Sequence, residues 1–307
     1  MSQRLLKVQK TLRHHAERAE RAALGLAWDV ARPLLQRPIF VVGCSRAGTT
    51  VVYKTLSASP EIGSLQRETH DFWVALHPLS QKNWDSHALN ASDATPRDRK
   101  VVSRYFISRT GHRRIVDKNN QNGLCVAYLH ALFQDAHFVY VRRSPGDNIH
   151  SLIEGWGKAN EFATWSQDLP APVAIEGGRY NRWCFFLADG WRDYAHASIE
   201  EVCAFQYHAM NRAIIDAAKA IPASQWSEIV YEQLLQDPVR EFKRVFEACE
   251  LAFTPHIEQR CETVLDTPYN AFSEIRADKW RDMPNRARIE RVLPRLAGLA
   301  AEMGYSP

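Results

Sequence analysis

Short runs rich in branched and apolar residues alternate with amphipathic stretches along most of the chain. The runs with strand character cover residues 39–44, 114–118, 137–143 and 227–234. The stretches with helical spacing cover residues 49–57, 123–133, 146–156 and, ahead of the fourth run, 200–221. Strands that alternate with helices predict an α/β fold, with a central, mostly parallel sheet flanked by helices on both faces. A polar stretch at 89–100 is predicted to be a surface connection.

The first 37 residues have a different pattern, in which apolar residues recur at steps of three and four. These positions are Leu5, Val8, Leu12, Ala16, Ala19, Ala23, Leu26 and Val30. Basic residues lie among them, namely Arg4, Lys7, Lys10, Arg13, Arg18 and Arg21. The spacing predicts a basic amphipathic helix, as an extension 1–37 ahead of one domain, 38–307.

We expect the alanine-rich stripe of this extension to dock on the parent domain or on a second subunit, so a homo-oligomer stays open. The alternative is peripheral contact of residues 1–35 with an anionic membrane surface. Leu, Phe and Trp are usually more numerous in helices that bind membranes in this way. Docking is therefore the preferred interpretation.

Composition limits the classes of protein to which the chain can belong. With 307 residues, of which 45% are hydrophobic, it can bury one large core or two modest ones. No apolar run approaches the roughly 18 residues that span a bilayer, so we expect a cytoplasmic protein without a transmembrane segment. Six scattered cysteines without a C-x-x-C pair are expected to be small apolar core residues.

The stretch "GCSRAGTT" between the first strand and the first helix is a candidate phosphate-binding loop. Gly43 and Gly48 have the spacing of a P-loop, and a helix N-terminus presents backbone N–H groups to an anion. The backbone of Ser45, Ala47 and Gly48, the guanidinium of Arg46, and the hydroxyl groups of Thr49 and Thr50 are the candidate anion ligands. Thr49 stands where a nucleoside triphosphatase carries its lysine.

Basic side chains follow the ends of three predicted strands. They are Arg46, Lys118 and Arg143, and the carboxyl ends of parallel strands lie at one edge of a sheet. Asp117 is the only obvious carboxylate that could hold a magnesium ion there, and a lysine follows it at once. This pattern predicts a ligand that protein cations neutralise, and no metal.

The stretch "RSPGDNIHS" is a second candidate phosphate clamp, about a hundred residues after the first. Arg143 stands at a strand end, and Ser151 lies on the early turns of the next helix. Two clamps on neighbouring strands suit a nucleotide that carries phosphate at both its 3′ and 5′ positions. ATP has no 3′-phosphate to fill the second one.

These residues together resemble the PAPS-dependent sulfotransferases. In that family a loop similar to "PIFVVGCSRAGTT" binds the 5′-phosphosulfate, and an Arg-x-Pro motif with a serine eight residues after the arginine binds the 3′-phosphate. "YEQLLQDP", with Tyr231, and "ADKWRDM", with Lys279, Trp280 and Arg281, resemble two further nucleotide-binding segments of the family. The resemblance implies a P-loop-like three-layer fold and PAPS as co-substrate. It also implies an acceptor that is a hydroxyl-bearing small molecule or glycan, and no nucleic acid.

The resemblance also indicates the catalytic groups. "RETHDFW" is similar to the segment that carries the base in heparan sulfate O-sulfotransferases, which implies Glu68 as the base and His70 as a supporting group. His70 is the competing base, since imidazole fills that role in the branch that acts on small phenols. Lys118 keeps the lysine of the family's Glu-Lys-Thr-Pro segment, although here the sequence reads "DKNNQN". Lys118 is therefore expected to stabilise charge on the transferred group or to contact the acceptor, and Arg46 is expected to bind the 5′-phosphate and act on the bridging oxygen.

An aromatic-rich segment at 155–195 completes the candidate site. Its aromatic residues are Trp156, Trp165, Tyr180, Trp183, Phe185, Phe186 and Trp191. Breaks at "LPAP" and "EGG" argue against one regular helix. We expect most of these side chains to belong to the core, and at least one to face an acceptor or form a lid.

Three functions remain open from the sequence. The preferred one is a sulfotransferase that acts on a hydroxyl group of a glycan, glycolipid or secondary metabolite. The alternatives are a P-loop nucleotide kinase or hydrolase, and a non-catalytic nucleotide-binding protein.

Overall fold

The computed structural model describes residues 22–163, 166–266 and 275–305. Its four strands are β1 (Ile39–Val42), β2 (Val116–Lys118), β3 (His137–Arg142) and β4 (Trp226–Val230). They form one sheet in the order β2-β1-β3-β4, and every pair is parallel. The predicted α/β fold with a parallel sheet is confirmed.

The sheet lies between two layers of helices. Side chains of a strand point alternately to the two faces of the sheet, so β1 contributes to a hydrophobic cluster on either side. Phe40 and Val42 of β1 belong to one hydrophobic cluster. Ile39 and Val41 belong to another on the opposite face. A strand buried on both sides must be apolar at every position, which explains its continuous run of hydrophobic residues.

The helices surround this sheet. They are α1 (22–31), α2 (Thr49–Leu56), α3 (His70–Leu76), α4 (Pro96–Thr110), α5 (Val126–Leu132), α6 (Pro145–Trp156), α7 (Ala159–Phe162), α8 (Ile199–Ala218), α9 (Tyr231–Gln236), α10 (Pro238–Ala248), α11 (Pro255–Glu262), α12 (Arg286–Val292) and α13 (Ala297–Glu302). Each of β1, β2 and β3 runs directly into a loop and then a helix. The three loops therefore meet at the carboxyl edge of the sheet.

Two elements differ from the prediction. The run 227–234 is a strand only as far as Val230, because the chain turns into α9 at Tyr231 when it reaches the edge of the sheet. The stretch 89–100 includes the start of α4, where Thr95 accepts a hydrogen bond from the backbone of Asp98 and forms a capping box with it. A Thr-x-x-Asp sequence with proline directly after the threonine is a helix start signal, and the polar composition of the stretch hid it from the prediction.

The described part of the N-terminal extension docks through a different residue from those predicted. In α1, Trp28 is buried, and Asp29 pairs with Arg104 of α4 at 3.0 Å. Leu26 and Val30 of the predicted stripe are 69% and 87% exposed, so these two do not pack on the described domain. Residues 1–21 lie outside the described residues. Within 22–163, 166–266 and 275–305, none of the helices combines the length and the hydrophobicity of a transmembrane segment.

All six cysteines lie within the described ranges, and each is a free, buried thiol. Burial raises the pKa of the thiols of Cys125 and Cys184 to about 12, so these groups stay protonated. The structure thus agrees with their predicted role as apolar core residues.

Candidate active site

The loop between β1 and α2 has the sharp turn that its two glycines predict. A Cβ atom at Gly43 would lie 2.5 Å from the carbonyl oxygen of Val141. At Gly48, whose φ is 99°, it would lie 2.5 Å from the ring of Tyr231. Neither position has room for a side chain. The ring of Tyr231, at the start of α9, therefore lies directly on the loop.

Residues Ser45, Ala47 and Thr49 of the loop are buried. The loop is closed by a hydrogen bond of 3.1 Å from the N–H of Ala47 to the carbonyl oxygen of Cys44. It is also held from α6, where the Asn148 side chain donates to the carbonyl oxygen of Ser45 at 2.8 Å. Asn148 was absent from the predicted site, although its place within the "RSPGDNIHS" motif was a signal that could have identified it.

Arg46 has a left-handed backbone, with a φ of 69°, and its side chain lies against the second motif. Its Nε donates to Ser151 Oγ at 3.3 Å, and its guanidinium lies 5.7 Å from the ring centre of Phe162. Burial, together with the nearby charge of Arg143, lowers the pKa of Arg46 to about 10. An anion bound here would stabilise the charged guanidinium.

Arg143 completes the contact between the two motifs. Its Nη1 donates to the carbonyl oxygen of Arg46 at 3.0 Å, and its guanidinium lies 4.6 Å above the ring of Tyr231. Arg46, Arg143, Ser151 and Tyr231, which were predicted from three separate segments, thus form one basic cluster at the carboxyl edge of the sheet.

Two buried polar atoms, one in the phosphate loop and one in this basic cluster, make no hydrogen bond within the described part of the chain. They are Ser45 Oγ and Arg143 Nε. Buried polar groups are almost always paired, so an unpaired hydroxyl in the loop and an unpaired guanidinium nitrogen in the adjoining cluster indicate a site for an external acceptor of hydrogen bonds. The residues present therefore fit an anionic ligand such as a phosphorylated nucleotide.

The predicted catalytic residues Glu68 and Lys118 lie beside the phosphate loop. Lys118 Nζ contacts Glu68 Oε1 at 2.5 Å and donates to Thr50 Oγ1 at 3.3 Å. The Lys118 side chain is 7% exposed and that of Glu68 is 34% exposed, so the carboxylate is the member of the pair that solvent reaches. His70, two residues further on, begins α3 and is partly exposed.

The late "ADKWRDM" segment packs on the first turn of α6. Asp147 accepts hydrogen bonds from the backbone of Asp278 at 2.7 Å and of Trp280 at 3.2 Å. The indole of Trp280 covers Gly146, where a Cβ atom would lie 2.3 Å from Nε1. These contacts place Trp280 next to the second clamp.

The two basic residues of this segment have different surroundings. Lys279 is buried, and its Nζ lies 3.9 Å from a carboxylate oxygen of Glu154 on α6. Arg281 is 57% exposed and pairs with Asp278 at 3.2 Å. Among the three predicted contacts of this segment, Lys279 and Trp280 lie against α6, and Arg281 lies in a surface ion pair.

Most aromatic residues of the segment 155–195 belong to the core, as expected. The buried ones are Trp156, Trp183, Phe185, Phe186 and Trp191. Trp165 lies outside the described residues. The aromatic ring beside Arg46 is that of Phe162, which was not singled out from the sequence and which packs 5.1 Å from Phe185. The residues described include no group of three or more His, Cys, Asp or Glu side chains that could hold a metal ion.

Comparisons with known proteins agree with this geometry. Residues 38–255 match the family described as the sulfotransferase family. Among solved structures, a sulfotransferase from Mycobacterium avium superposes with a TM-score of 0.54 at 15% identity, covering 92% of this chain and 80% of that one. The sulfotransferase domain of an olefin synthase from Synechococcus PCC 7002 has a TM-score of 0.49 at 16% identity, covering 90% and 98%.

One curated relative is an uncharacterized protein from Aquifex aeolicus, which is 21% identical over 267 residues. The match covers 80% of this chain and 30% of that protein, so the chain spans less than a third of the relative's length. At 15% identity the Mycobacterium avium structure shows the shared fold alone. Membership of the family rests on the match over residues 38–255.

Proposed function

Because the chain belongs to the sulfotransferase family, we propose that it transfers the sulfuryl group of PAPS to an acceptor hydroxyl, with Glu68 as the general base. The observation that carries the proposal is the meeting of the two phosphate motifs. Arg46 and Arg143 are neighbours at one edge of the sheet, and the Lys118–Glu68 pair lies beside the same loop. A nucleotide that bears phosphates at two positions suits both arginines at once.

The first loop and the second clamp would hold the nucleotide without a metal ion. Arg46 and the loop backbone would bind the 5′-phosphosulfate, and Arg143 and Ser151 the 3′-phosphate. Tyr231, which lies on the loop at Gly48, and Trp280, which lies on Gly146 of the second motif, would contact the rest of the nucleotide. The unpaired Ser45 Oγ and Arg143 Nε would gain hydrogen-bond acceptors on binding.

The Glu68 carboxylate would receive the proton of the acceptor hydroxyl. Its Oε1 contacts Lys118, which leaves Oε2 for the hydroxyl. As the proton moves to Glu68, the acceptor oxygen forms a bond to sulfur, and the bond from sulfur to the bridging phosphate oxygen breaks. Lys118 and Arg46 would stabilise the negative charge on the oxygen that leaves, and His70 would orient the acceptor or share the proton.

The acceptor is proposed to be an alkyl hydroxyl of a small molecule or a glycan, because the segment that carries Glu68 resembles the base segment of the heparan sulfate O-sulfotransferases, whose acceptors are sugar hydroxyls. We place the protein in the cytoplasm. The exposed Leu26 and Val30 support contact of α1 with a second copy of the chain, and an anionic membrane surface is the alternative partner.

Nucleotide binding tests the proposal against a P-loop kinase. Adenosine 3′,5′-bisphosphate should raise the melting temperature in the absence of Mg²⁺, because a ligand at a hundred times its Kd stabilises the folded state by about 2.7 kcal/mol. No shift with the bisphosphate and a magnesium-dependent shift with ATP would reject the sulfotransferase mechanism.

The substitution Glu68→Gln tests the base. We expect kcat for sulfuryl transfer from PAPS to an acceptor panel to fall about 10²- to 10⁴-fold, while the bisphosphate still shifts the melting temperature, because Glu68 contacts no phosphate clamp. The matched control is Glu247→Gln, which changes an exposed glutamate on α10 and should keep full activity.

The substitution His70→Asn tests the competing base, and it should lower kcat less than Glu68→Gln does. The reverse order would make His70 the base, and bisphosphate binding without transfer to any acceptor would favour a non-catalytic protein.

A further inference from the structure

Asp117 is a buried carboxylate to which neither the sequence nor the proposed chemistry assigns a role in transfer. It lies in β2 immediately before Lys118 and is 1% exposed. Oδ1 accepts a hydrogen bond from Thr69 Oγ1 at 2.7 Å. Oδ2 accepts two, from Trp73 Nε1 at 3.0 Å and from Asn122 Nδ2 at 3.2 Å. The sequence offered Asp117 as the candidate magnesium ligand, but both its oxygens are occupied by donors of the protein itself.

The donors of Asp117 belong to the two segments that carry the proposed catalytic groups. Thr69 stands between Glu68 and His70, is fully buried and directly precedes α3, while Trp73 lies one turn further along that helix. The indole N–H of Trp73 is shared between Asp117 and Thr69 Oγ1, at 3.2 Å from the latter. The threonine hydroxyl therefore accepts from Trp73 and donates its own proton to Asp117.

The third donor, Asn122, connects Asp117 to the loop that follows Lys118. Asn119 Nδ2 donates a hydrogen bond of 2.7 Å to Asn122 Oδ1. Between them, Asn120 donates to the carbonyl oxygen of Phe185 at 2.6 Å, in the aromatic-rich segment. One carboxylate is thus bonded to the turn that carries Glu68 and to the loop after Lys118, two segments about 50 residues apart that meet at the 2.5 Å contact between Lys118 and Glu68.

We propose that Asp117 is a positioning residue, which fixes the turn at Thr69 so that the Glu68 carboxylate faces Lys118 and the bound sulfuryl group. The inference rests on the proposed function, because it concerns the orientation of the proposed base. Three donors converge on the two oxygens, so the site requires a group that only accepts hydrogen bonds. A small displacement of a catalytic group is enough to reduce turnover, and 1 Å can cost about 10²-fold.

The test uses two substitutions that remove the same hydrogen bond from opposite ends. Asp117→Asn places an amide N–H₂ among three donors, and Thr69→Val removes the hydroxyl while preserving the size of the side chain. We expect each to lower kcat about 10- to 100-fold and to leave the affinity for adenosine 3′,5′-bisphosphate unchanged, since neither residue contacts the two clamps. Thr69→Ser keeps the hydroxyl and should retain most of the activity.

A control separates positioning from loss of stability. Ser227→Ala removes a buried hydrogen bond of 2.8 Å to His137, at the opposite end of β3 from the site. It should lower the melting temperature and leave kcat unchanged. The effects of Asp117→Asn and Thr69→Val should be less than additive in the double variant, because they break one shared interaction.

A measurement without turnover keeps this inference distinct from the proposed function. The ¹³C NMR chemical shift of the Glu68 carboxyl carbon reports the surroundings of that group, and it should change in Asp117→Asn and Thr69→Val and stay as in the native protein in Thr69→Ser and Ser227→Ala. If the native protein failed to use PAPS, the proposed function would fail, and this chemical shift would still decide the role of Asp117. An unchanged chemical shift in both Asp117→Asn and Thr69→Val would overturn the positioning role, whatever their stability.

Discussion

At the scale of single residues, the site is defined by two arginines of like charge that lie next to each other. The Arg143 guanidinium donates to the backbone of Arg46 and stacks on Tyr231, while Arg46 reaches Ser151 in the helix that follows Arg143. Their mutual repulsion and their burial are unfavourable in the free protein, and the lowered pKa of Arg46 reflects both. A dianionic ligand would reverse this penalty, so the cluster is built for binding more than for stability.

The substitution Arg143→Lys should distinguish the contribution of the 3′-phosphate to nucleotide affinity from that of the 5′-phosphate. A lysine cannot reproduce the planar fork or the stacking on Tyr231, so we expect the affinity for adenosine 3′,5′-bisphosphate to fall about 10- to 100-fold. AMP lacks the 3′-phosphate, and its affinity should change little. Isothermal titration calorimetry with both nucleotides measures the difference.

Arg104→Lys serves as the control for that substitution. Arg104 pairs with Asp29 on the surface and touches neither motif, so both affinities should remain as in the native protein. An equal loss of AMP and bisphosphate affinity in Arg143→Lys would contradict the assignment of Arg143 to the 3′-phosphate.

At the scale of elements, a cluster of ion pairs connects the aromatic-rich segment to α12 and α8. Arg288 pairs with Glu176, in a short turn of that segment, at 2.9 Å and with Glu200, in the first turn of α8, at 2.6 Å. Arg291 also pairs with Glu200, at 2.7 Å. The hydrogen bonds from Arg288 hold the pKa of Glu176 below its ordinary value, so this contribution to stability is lost as the pH falls through the lowered pKa.

The substitution Arg288→Ala should loosen this segment. We expect a loss of about 1–2 kcal/mol in the free energy of unfolding. The loss is limited because the ion pairs are partly exposed and Glu200 would still pair with Arg291. Limited proteolysis should cleave faster within residues 166–182. Arg286→Ala on the same helix removes only an exposed pair with Glu290 and should leave both readouts unchanged. Equal cleavage rates in the two variants would show that α12 does not restrain the segment.

At the scale of the whole molecule, two neutral histidines are enclosed in the fold. His87 accepts a hydrogen bond from the backbone of Leu187 at 2.8 Å, and His137 bonds with Ser227 at 2.8 Å. Burial lowers the pKa of His87 to about 3 and that of His137 to about 4. The unfolded chain therefore binds protons at a higher pH than the folded protein does.

The stability of the protein should consequently fall as the pH drops below about 6.5, by up to about 1.4 kcal/mol per pH unit for each of the two histidines. Urea unfolding at pH 7.5 and pH 5.5 measures the loss. His87→Asn keeps an acceptor for Leu187 but does not titrate, so the difference between the two pH values should be smaller. His256→Asn, at an exposed position, should not change it. An identical pH dependence in His87→Asn would show that His87 is protonated in the folded state.

The sequence alone was enough to predict the strand-loop-helix units, because their signals are local. β1, α2, β3 and α6 begin and end within about two residues of the predicted bounds, since apolar runs, glycines and helical spacing act over a few residues. The errors have local causes too. The β-forming residues Ile229, Val230 and Tyr231 extended the predicted strand past the true end of β4, and the polar composition of 89–100 hid the start of α4.

The sequence also predicted that the site binds an anion, because glycines, arginines and hydroxyl-bearing residues at this spacing are typical of a phosphate-binding loop. The strand order decided which motifs meet. Because β1 lies between β2 and β3, the phosphate loop is flanked by Lys118 on one side and Arg143 on the other. The tertiary structure alone decided that Asp117 is enclosed by hydrogen-bond donors and that Leu26 and Val30 are exposed. Burial and hydrogen bonding depend on residues tens of positions away, and no local pattern contains them.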